Sequence, residues 1–421
     1  MKTAIIGTGI SGLGAAHVLQ QAHEVHLFEA EAEAGGHAHT VMADDQPVDT
    51  GFIVYNEINY PLLTRLFKEL NIATLPSDMS FGVYHAEINF AYASHGTPSL
   101  LATPRHALTG KFYRMIRDII RFNRLARQAL DESAHANLTL AEFLLAHSFS
   151  TAFERYYLTP MSAAIWSAPP GKTLSFPALT FFRFFSNHGL LTLSPKTPWR
   201  TVKGGSRTYV EAVVRPFGDR LHLRCPVKRV QRNGRHVTLS FADGPDQIFD
   251  RVVIATHADQ ALRMLADPTP EERELLSLYP YQTNRVVLHN DASVMPPHRR
   301  AWAAWNVRIP ARFDGSEPLA MTYNMNRLQS LPNDTDYLVT LNPEAAWLED
   351  LRQATDGRRL YFETTYDHPA YRTISFQKQH ELEGLNGQRH TYFCGAYCGY
   401  GFHEDGLAAG VRVARALGVD W

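Results

Sequence analysis

The residues with the clearest chemical use stand near the start of the chain, in the run Gly7-Thr8-Gly9-Ile10-Ser11-Gly12. A short apolar run, Lys2 to Ile6, precedes them, and Leu13, Ala16, Val18 and Leu19 follow at helical spacing. Glu29 closes a second short strand pattern, 20 residues after Gly9. A dinucleotide needs this order of parts. Gly7 allows a tight turn, Gly9 lets the backbone approach a pyrophosphate, and Gly12 lets helix and strand pack closely. The free N–H groups of Ile10 and Ser11 at the helix start then face the anion. Glu29, with Ala30 beside it, accepts from a ribose hydroxyl and disfavours a 2′-phosphate. The motif itself does not separate FAD from NAD.

Histidines form the next chemically capable set: His37, His39, His257, His298, His368 and His403. None falls into a ligand spacing, so no metal is expected. The three cysteines, Cys225, Cys394 and Cys398, make neither a disulfide framework nor a redox pair.

The elements that must position these residues are scattered along the chain. Lys2–Ile6 and the segment 23–30 read as strands flanking a helix. Residues 31–60 have no clear period and read as cofactor-contacting loop, and a helix follows around Tyr60 to Asn71. Alternation over 76–100 predicts antiparallel strands. Residues 106–132 read as a basic helix, and 139–195 as aromatic-rich and helical in part. Val- and Leu-rich strands return at 200–256, sheet at 282–345, and a strand, a Gly-rich turn and a final helix, Asp405 to Leu417, after Thr391.

A chain of 421 residues with 45% apolar content supports two domains, and a net charge of −1 gives no reason to expect nucleic acid. The N-terminus has no signal-peptide layout, and the apolar stretch Leu174 to Leu193 is too interrupted to span a membrane. A cytoplasmic protein is expected, with attachment to the inner face of the membrane as the alternative.

Beyond Glu29 a family resemblance becomes specific. Ala34-Gly35-Gly36-His37 and Val48-Asp49-Thr50-Gly51-Phe52 resemble two segments of the FAD-dependent amine oxidase, protoporphyrinogen oxidase and phytoene desaturase flavoprotein superfamily. Lys203-Gly204-Gly205, Pro226-Val227 and Val252 to Thr256 resemble later ones. Phe402-His403-Glu404-Asp405-Gly406-Leu407 through Gly410 resembles the stretch whose helix N-terminus points at the flavin pyrimidine oxygens, where reduced flavin carries negative charge. The chain looks like a bacterial NAD/FAD-binding, amine oxidase-like branch. Some members of that branch resemble flavoproteins implicated in modifying fatty acyl chains.

The resemblance implies an α/β and α+β fold: a Rossmann-like FAD-binding domain (1–75, 200–265 and 375–421) interleaved with a substrate domain of mixed sheet and helices (76–199 and 266–374). It implies non-covalent FAD, contacted by Gly7, Gly9, Ile10, Ser11, Gly12, Glu29, Ala30, Gly36, His37, Gly51, Phe52, Val227, Gly395, Phe402, His403 and Leu407. His403, Glu404 and Tyr55 are the candidate catalytic groups, with Tyr400 on the substrate side. A tether through Cys398 does not match the known position.

Four departures bear on activity. His37 replaces the superfamily arginine. Ala396, not an acid, follows Gly395. Phe402 stands where amine oxidases often carry a cage tyrosine. No lysine occurs between Arg229 and Gln377, the span expected to supply the water-holding lysine of amine oxidases. The expectation is therefore an FAD-dependent dehydrogenase or desaturase abstracting hydride from a hydrophobic, fatty acyl or lipid-like substrate. A flavin isomerase without net redox, an amine oxidase and a non-catalytic FAD-binding accessory protein are the alternatives.

The aromatic stretch Trp166 to Trp199 is helix core or an apolar tunnel. The segment 105–127 places Arg114, Arg117, Arg121 and Arg124 on one helical face. It is either a solvated helix or a peripheral membrane contact. Oligomeric state is open.

Overall fold

The computed structural model describes residues 1–132, 138–166, 174–187, 189–192, 198–313, 318–332 and 334–421. Strand β1 (Lys2–Ile6), helix α1 (Ile10–Leu19) and strand β2 (Glu24–Phe28) form the N-terminal unit. β1 sits at the centre of a five-stranded parallel sheet in the order Leu221–His222, β2, β1, Arg251–Ile254, Thr391–Phe393. Both of its faces are covered, which explains the consecutive apolar residues Ala4, Ile5 and Ile6. Ile5 packs among the side chains of α1 and the C-terminal helix, while Ala4 and Ile6 pack on the opposite face with Val237 and Leu239.

The C-terminal helix runs His403–Ala416, starting slightly before the expected Asp405, and lies against α1. The approach is close enough that a Cβ at Gly410 would lie 2.2 Å from the Ser11 carbonyl oxygen. A meander of Val227–Arg232, Val237–Phe241 and Gln247–Phe249 accounts for the Val- and Leu-rich strands before Arg251.

The second large sheet has seven strands in the order Leu360–Pro369, Tyr281–His289, Leu338–Leu341, Ala320–Asn324, Trp305–Ile309, Phe81–His85, Phe90–Ala93. It is antiparallel except where Trp305–Ile309 runs parallel to Phe81–His85. Helices Gly110–Glu132 and Ala178–Asn187 share its core, in which Phe181, Phe182 and Phe185 surround Phe122. Most of the described aromatic stretch is thus helix core. Trp166's side chain and residues 167–173, 188 and 193–197 lie outside the described residues.

Residues 31–60 are more ordered than an aperiodic sequence suggests. They contain a hairpin, Thr40–Ala43 with Gln46–Asp49, and the strand Val54–Asn56. Each strand is too short to show a period. The turn is made by Asp44 and Asp45, both left-handed at φ 45° and 64°, a conformation that Asp tolerates. Asp49, fully buried, ties distant segments together. Its Oδ1 accepts from Thr40 Oγ1 (2.6 Å), Ser206 N (2.8 Å) and Ser206 Oγ (2.8 Å), and its Oδ2 from Gln329 Nε2 (3.0 Å).

Candidate active site

The N-terminal turn is shaped by backbone contact. Gly7 has φ 97°, and a Cβ at Gly12 would lie 2.0 Å from the Gly7 carbonyl oxygen. Gly9 differs: it is the N-cap of α1, and a Cβ there would meet nothing within 4 Å. The helix start has no side-chain cap and no acid in its first turn, although Ile10 and Ser11 are buried. An uncapped helix N-terminus opening on empty space fits a phosphate group.

Glu29 accepts from Thr8 N (2.9 Å), Thr8 Oγ1 (2.5 Å) and Glu31 N (3.1 Å). The carboxylate is fixed in place and keeps acceptor capacity for a hydroxyl. Gly36 lies over Gly9, with a Cβ position 3.1 Å from the Gly9 Cα. Ala30 is exposed beside Glu29, and Val227 begins the meander.

From this cradle the segment Gly51-Phe52 leads to a half-open cavity of about 300 Å³. One wall carries His37, Gly51, Phe52, Phe402 and His403; the sheet supplies Val286, Trp305, Tyr323, Leu341, Tyr366 and His368. Phe184 stacks on Phe402 at 4.9 Å, so this one phenylalanine of the aromatic helix does reach the cavity. No Asp, Glu, Lys or Arg lines the cavity among the described residues.

The histidines at the cavity are held neutral. Burial pushes His403 down to about 3. Burial, with His257 nearby, pushes His368 down to about 4, and its Nδ1 accepts from Asn284 Nδ2 at 2.7 Å. His37 is driven well below its ordinary value by burial and then by His368, whose ring centre is 5.5 Å away.

His403 stacks on Phe52 at 3.8 Å, and its Nε2 is hydrogen-bonded to Tyr209 Oη at 2.6 Å. It lines the cavity as a positioned neutral ring. Glu404 does not line it. Its carboxylate accepts from Leu62 N (2.8 Å) and Leu63 N (3.0 Å), capping the helix Pro61–Glu69. The expectation of Glu404 as a catalytic group is corrected: those N–H groups engage both of its oxygens.

Tyr55 is likewise a core residue, 3% exposed and packed edge-on against Phe67 and Tyr60. Leu407 is buried against Gly14, so its side chain belongs to the core. Gly395 closes on the Tyr397 ring, which would lie 2.4 Å from a Cβ there. Tyr400 does line the cavity.

Two features escaped the sequence. Asp405 Oδ2 accepts from Tyr400 N (3.1 Å) and Phe402 N (3.0 Å) and so shapes the lining loop; burial raises its carboxyl to about 6. A hydrogen-bonded chain also leaves the cavity: Tyr366 Oη to Thr50 Oγ1 (2.9 Å), then to His39 Nδ1 (2.8 Å). His39 does not line the cavity and is half-buried. The run Asp49-Thr50-Gly51 marked this neighbourhood, but nothing in the sequence paired Thr50 with Tyr366.

Among the described residues no group of three or more His, Cys, Asp or Glu side chains is placed to hold a metal ion. No helix among them is long and apolar enough to cross a membrane.

The family model described as flavin containing amine oxidoreductase matches residues 10–297. A Mycobacterium tuberculosis protein carrying the name flavin-containing monoamine oxidase AofH is 25% identical over 291 residues, 66% of this chain and 62% of its own length. A putrescine oxidase double mutant superposes with a TM-score of 0.70 at 17% identity, covering 99% of this chain and 98% of that one. A CLA-producing fatty acid isomerase from P. acnes gives 0.66 at 17% identity, covering 98% of both chains. At such identities the structures share the fold.

Proposed function

The chain belongs to the flavin-containing amine oxidoreductase family, and from that premise we propose that it is an FAD-dependent oxidoreductase that dehydrogenates an uncharged, apolar carbon chain of fatty acyl or lipid-like class. The uncharged cavity is the observation that carries this reading. An amine arriving as an ammonium ion would lose its hydration and find no counter-charge. The missing lysine of the 229–377 span points the same way. An apolar chain fits the Met79, Met161, Phe184 and Leu341 side of the cavity without such a cost.

FAD fits the cradle described above. Gly9 and the start of α1 would hold its pyrophosphate, Glu29 its ribose, and the segment 51–52 with the start of the C-terminal helix its ring. Bound there, it supplies a hydride acceptor. Cys398 supports non-covalent attachment: its thiol does not line the cavity, and burial pushes it up to about 12, where it stays protonated.

The remaining work falls to the chain. The apolar walls orient the substrate. Net oxidation also releases a proton, and the Tyr366, Thr50, His39 chain gives it a way out. That exit favours oxidation over isomerisation, which needs no net proton release. An apolar cavity with a few polar groups beside the cofactor cradle favours an enzyme over an accessory protein.

The test is anaerobic mixing of the yellow protein with saturated fatty acyl substrates and, separately, with primary amines. Bleaching by acyl chains alone is expected. Bleaching by amines alone would overturn the substrate class. Turnover only after prior reduction of the flavin would establish an isomerase instead.

A further inference from the structure

The helix Gly110–Glu132 carries a surface that the cavity does not use. Its inward side buries Phe112, Met115, Ile119 and Phe122. Asp118, the one acid before its last turn, is also turned inward, 1% exposed, and accepts from Ser150 N at 3.1 Å. The outward side therefore presents cations without nearby carboxylates of its own.

Lys111, Arg114 and Arg124 are exposed and make no ion pair among the described residues, and Arg117 reaches only Asp118 at 3.6 Å. Arg121 leaves this set. Its guanidinium donates to the His147 carbonyl oxygen and lies over the Phe149 ring.

Large apolar groups stand among the free cations. Leu108 is 86% exposed, Tyr113 62% and Ile120 50%. Beside them the start of the helix and the hairpin Phe81–Ala93 enclose a groove of about 610 Å³. It is lined by Phe90, Phe112, Met115 and Tyr156 together with Lys111 and Arg114. Glu87, next to the groove residue Ile88, is neutralised by Arg155 at 2.8 Å.

We infer that this face, residues 108–124, docks the protein on an anionic lipid bilayer, with the cations at the headgroups and Leu108, Tyr113 and Ile120 in the acyl boundary. Charge complementarity and the apolar groups together select this occupant. A nucleic acid or other soluble polyanion would satisfy the cations but leave three large side chains and an apolar groove without a partner. An amphipathic surface of this composition binds through both contributions. The inference is independent of the substrate class proposed above.

The experiment is co-sedimentation of the flavin-loaded full chain with vesicles of phosphatidylcholine alone, or of phosphatidylcholine mixed with phosphatidylglycerol. Binding is expected only to the mixed vesicles and should weaken with added salt. Arg114→Gln, Arg117→Gln and Arg124→Gln should each lower partition about five-fold. Leu108→Ser with Tyr113→Ser should lower it further without changing the salt dependence. Retained flavin absorbance shows that each variant is folded; Arg65→Gln, on a different helix, serves as a surface control and should bind as the parent does.

Equal binding to both vesicle types would overturn the proposal, as would mixed-vesicle binding that survives the three arginine changes in flavin-loaded protein. Binding to heparin as tight as to vesicles and indifferent to the Leu108 and Tyr113 changes would replace the bilayer by a soluble polyanion.

Discussion

The nucleotide cradle and the substrate cavity are built on opposite plans. The cradle is made of backbone. Gly7, Gly12 and Gly410 sit where a single added methyl would overlap a carbonyl oxygen or its neighbours, at 2.9, 2.0 and 2.2 Å. The cavity is made of side chains, drawn from both the parallel region and the seven-stranded sheet, and many of them could be exchanged for others of similar volume. A site fixed by backbone approach tolerates few sequences. A site fixed by apolar volume tolerates many. The first therefore conserves a cofactor, while the second is free to change substrates.

The largest expected effect tests the backbone plan. Gly12→Ala should cost at least about 3 kcal/mol, because neither β1 nor α1 can retreat without disturbing the sheet. A chemical melt with an unchanged midpoint would show that the turn is softer than described. Thr50→Val should slow substrate-driven flavin reduction or its turnover about a hundred-fold, the low end of what positioned proton transfer contributes, while leaving flavin affinity alone. Equal loss of both would make Thr50 a structural residue of the cradle.

Gly9→Ala separates cofactor space from folding space. Its methyl meets no protein atom, so stability should change by no more than about 1 kcal/mol. Flavin affinity should fall about ten-fold or more, equivalent to about 1.4 kcal/mol, because the methyl enters the room left for a phosphate. Unchanged affinity by titration would move the pyrophosphate elsewhere.

Two pairs of buried groups also respond to acid with opposite signs. His368 and His403 titrate near 4 and 3 in the folded protein, against an ordinary 6.5. Below about pH 6.5 the unfolded chain takes up protons that the native state refuses, so their contribution to stability is lost as pH falls. Asp49 and Asp405, both raised to about 6 by burial, act the other way. The native state takes up their protons first, so they destabilise as pH rises from about 4 through 6. His368→Asn should therefore lose less Tm between pH 7.5 and pH 5 than the parent. Parallel profiles would place His368 in water.

Glu404→Gln gives the smallest effect, about 1 kcal/mol of stability from a weakened helix cap, with turnover little changed. A large kinetic loss at unchanged stability would restore it as a catalytic group.

The cradle was legible because its constraints are local and specific: glycines at fixed separations, then an acid at the end of the next strand. The cavity was legible only in part. His37 and His403 were found through neighbouring glycine-rich segments, but Glu404 and Tyr55 were misplaced. Sequence adjacency brings Glu404 beside His403, yet helix geometry turns consecutive side chains about 100° apart, and Glu404 faces Leu62 instead. Tyr366, Trp305 and Tyr323 were missed because alternation shows that a strand has two faces, not which face meets the cavity. The strand order of the seven-stranded sheet, with Trp305–Ile309 beside Phe81–His85, has no local signal at all.

The position of β1 has a consequence for how the protein is made. One neighbour in the sheet, β2, leaves the ribosome almost at once, but the other arrives only with Arg251–Ile254, and the helix that covers α1 only with His403–Ala416. Lys2–Ile6 therefore waits, with an apolar edge unpaired, until Arg251–Ile254 is made. A nascent chain stalled before residue 251 should expose that edge to chaperones and proteases, and should release it once Arg251–Ile254 has paired.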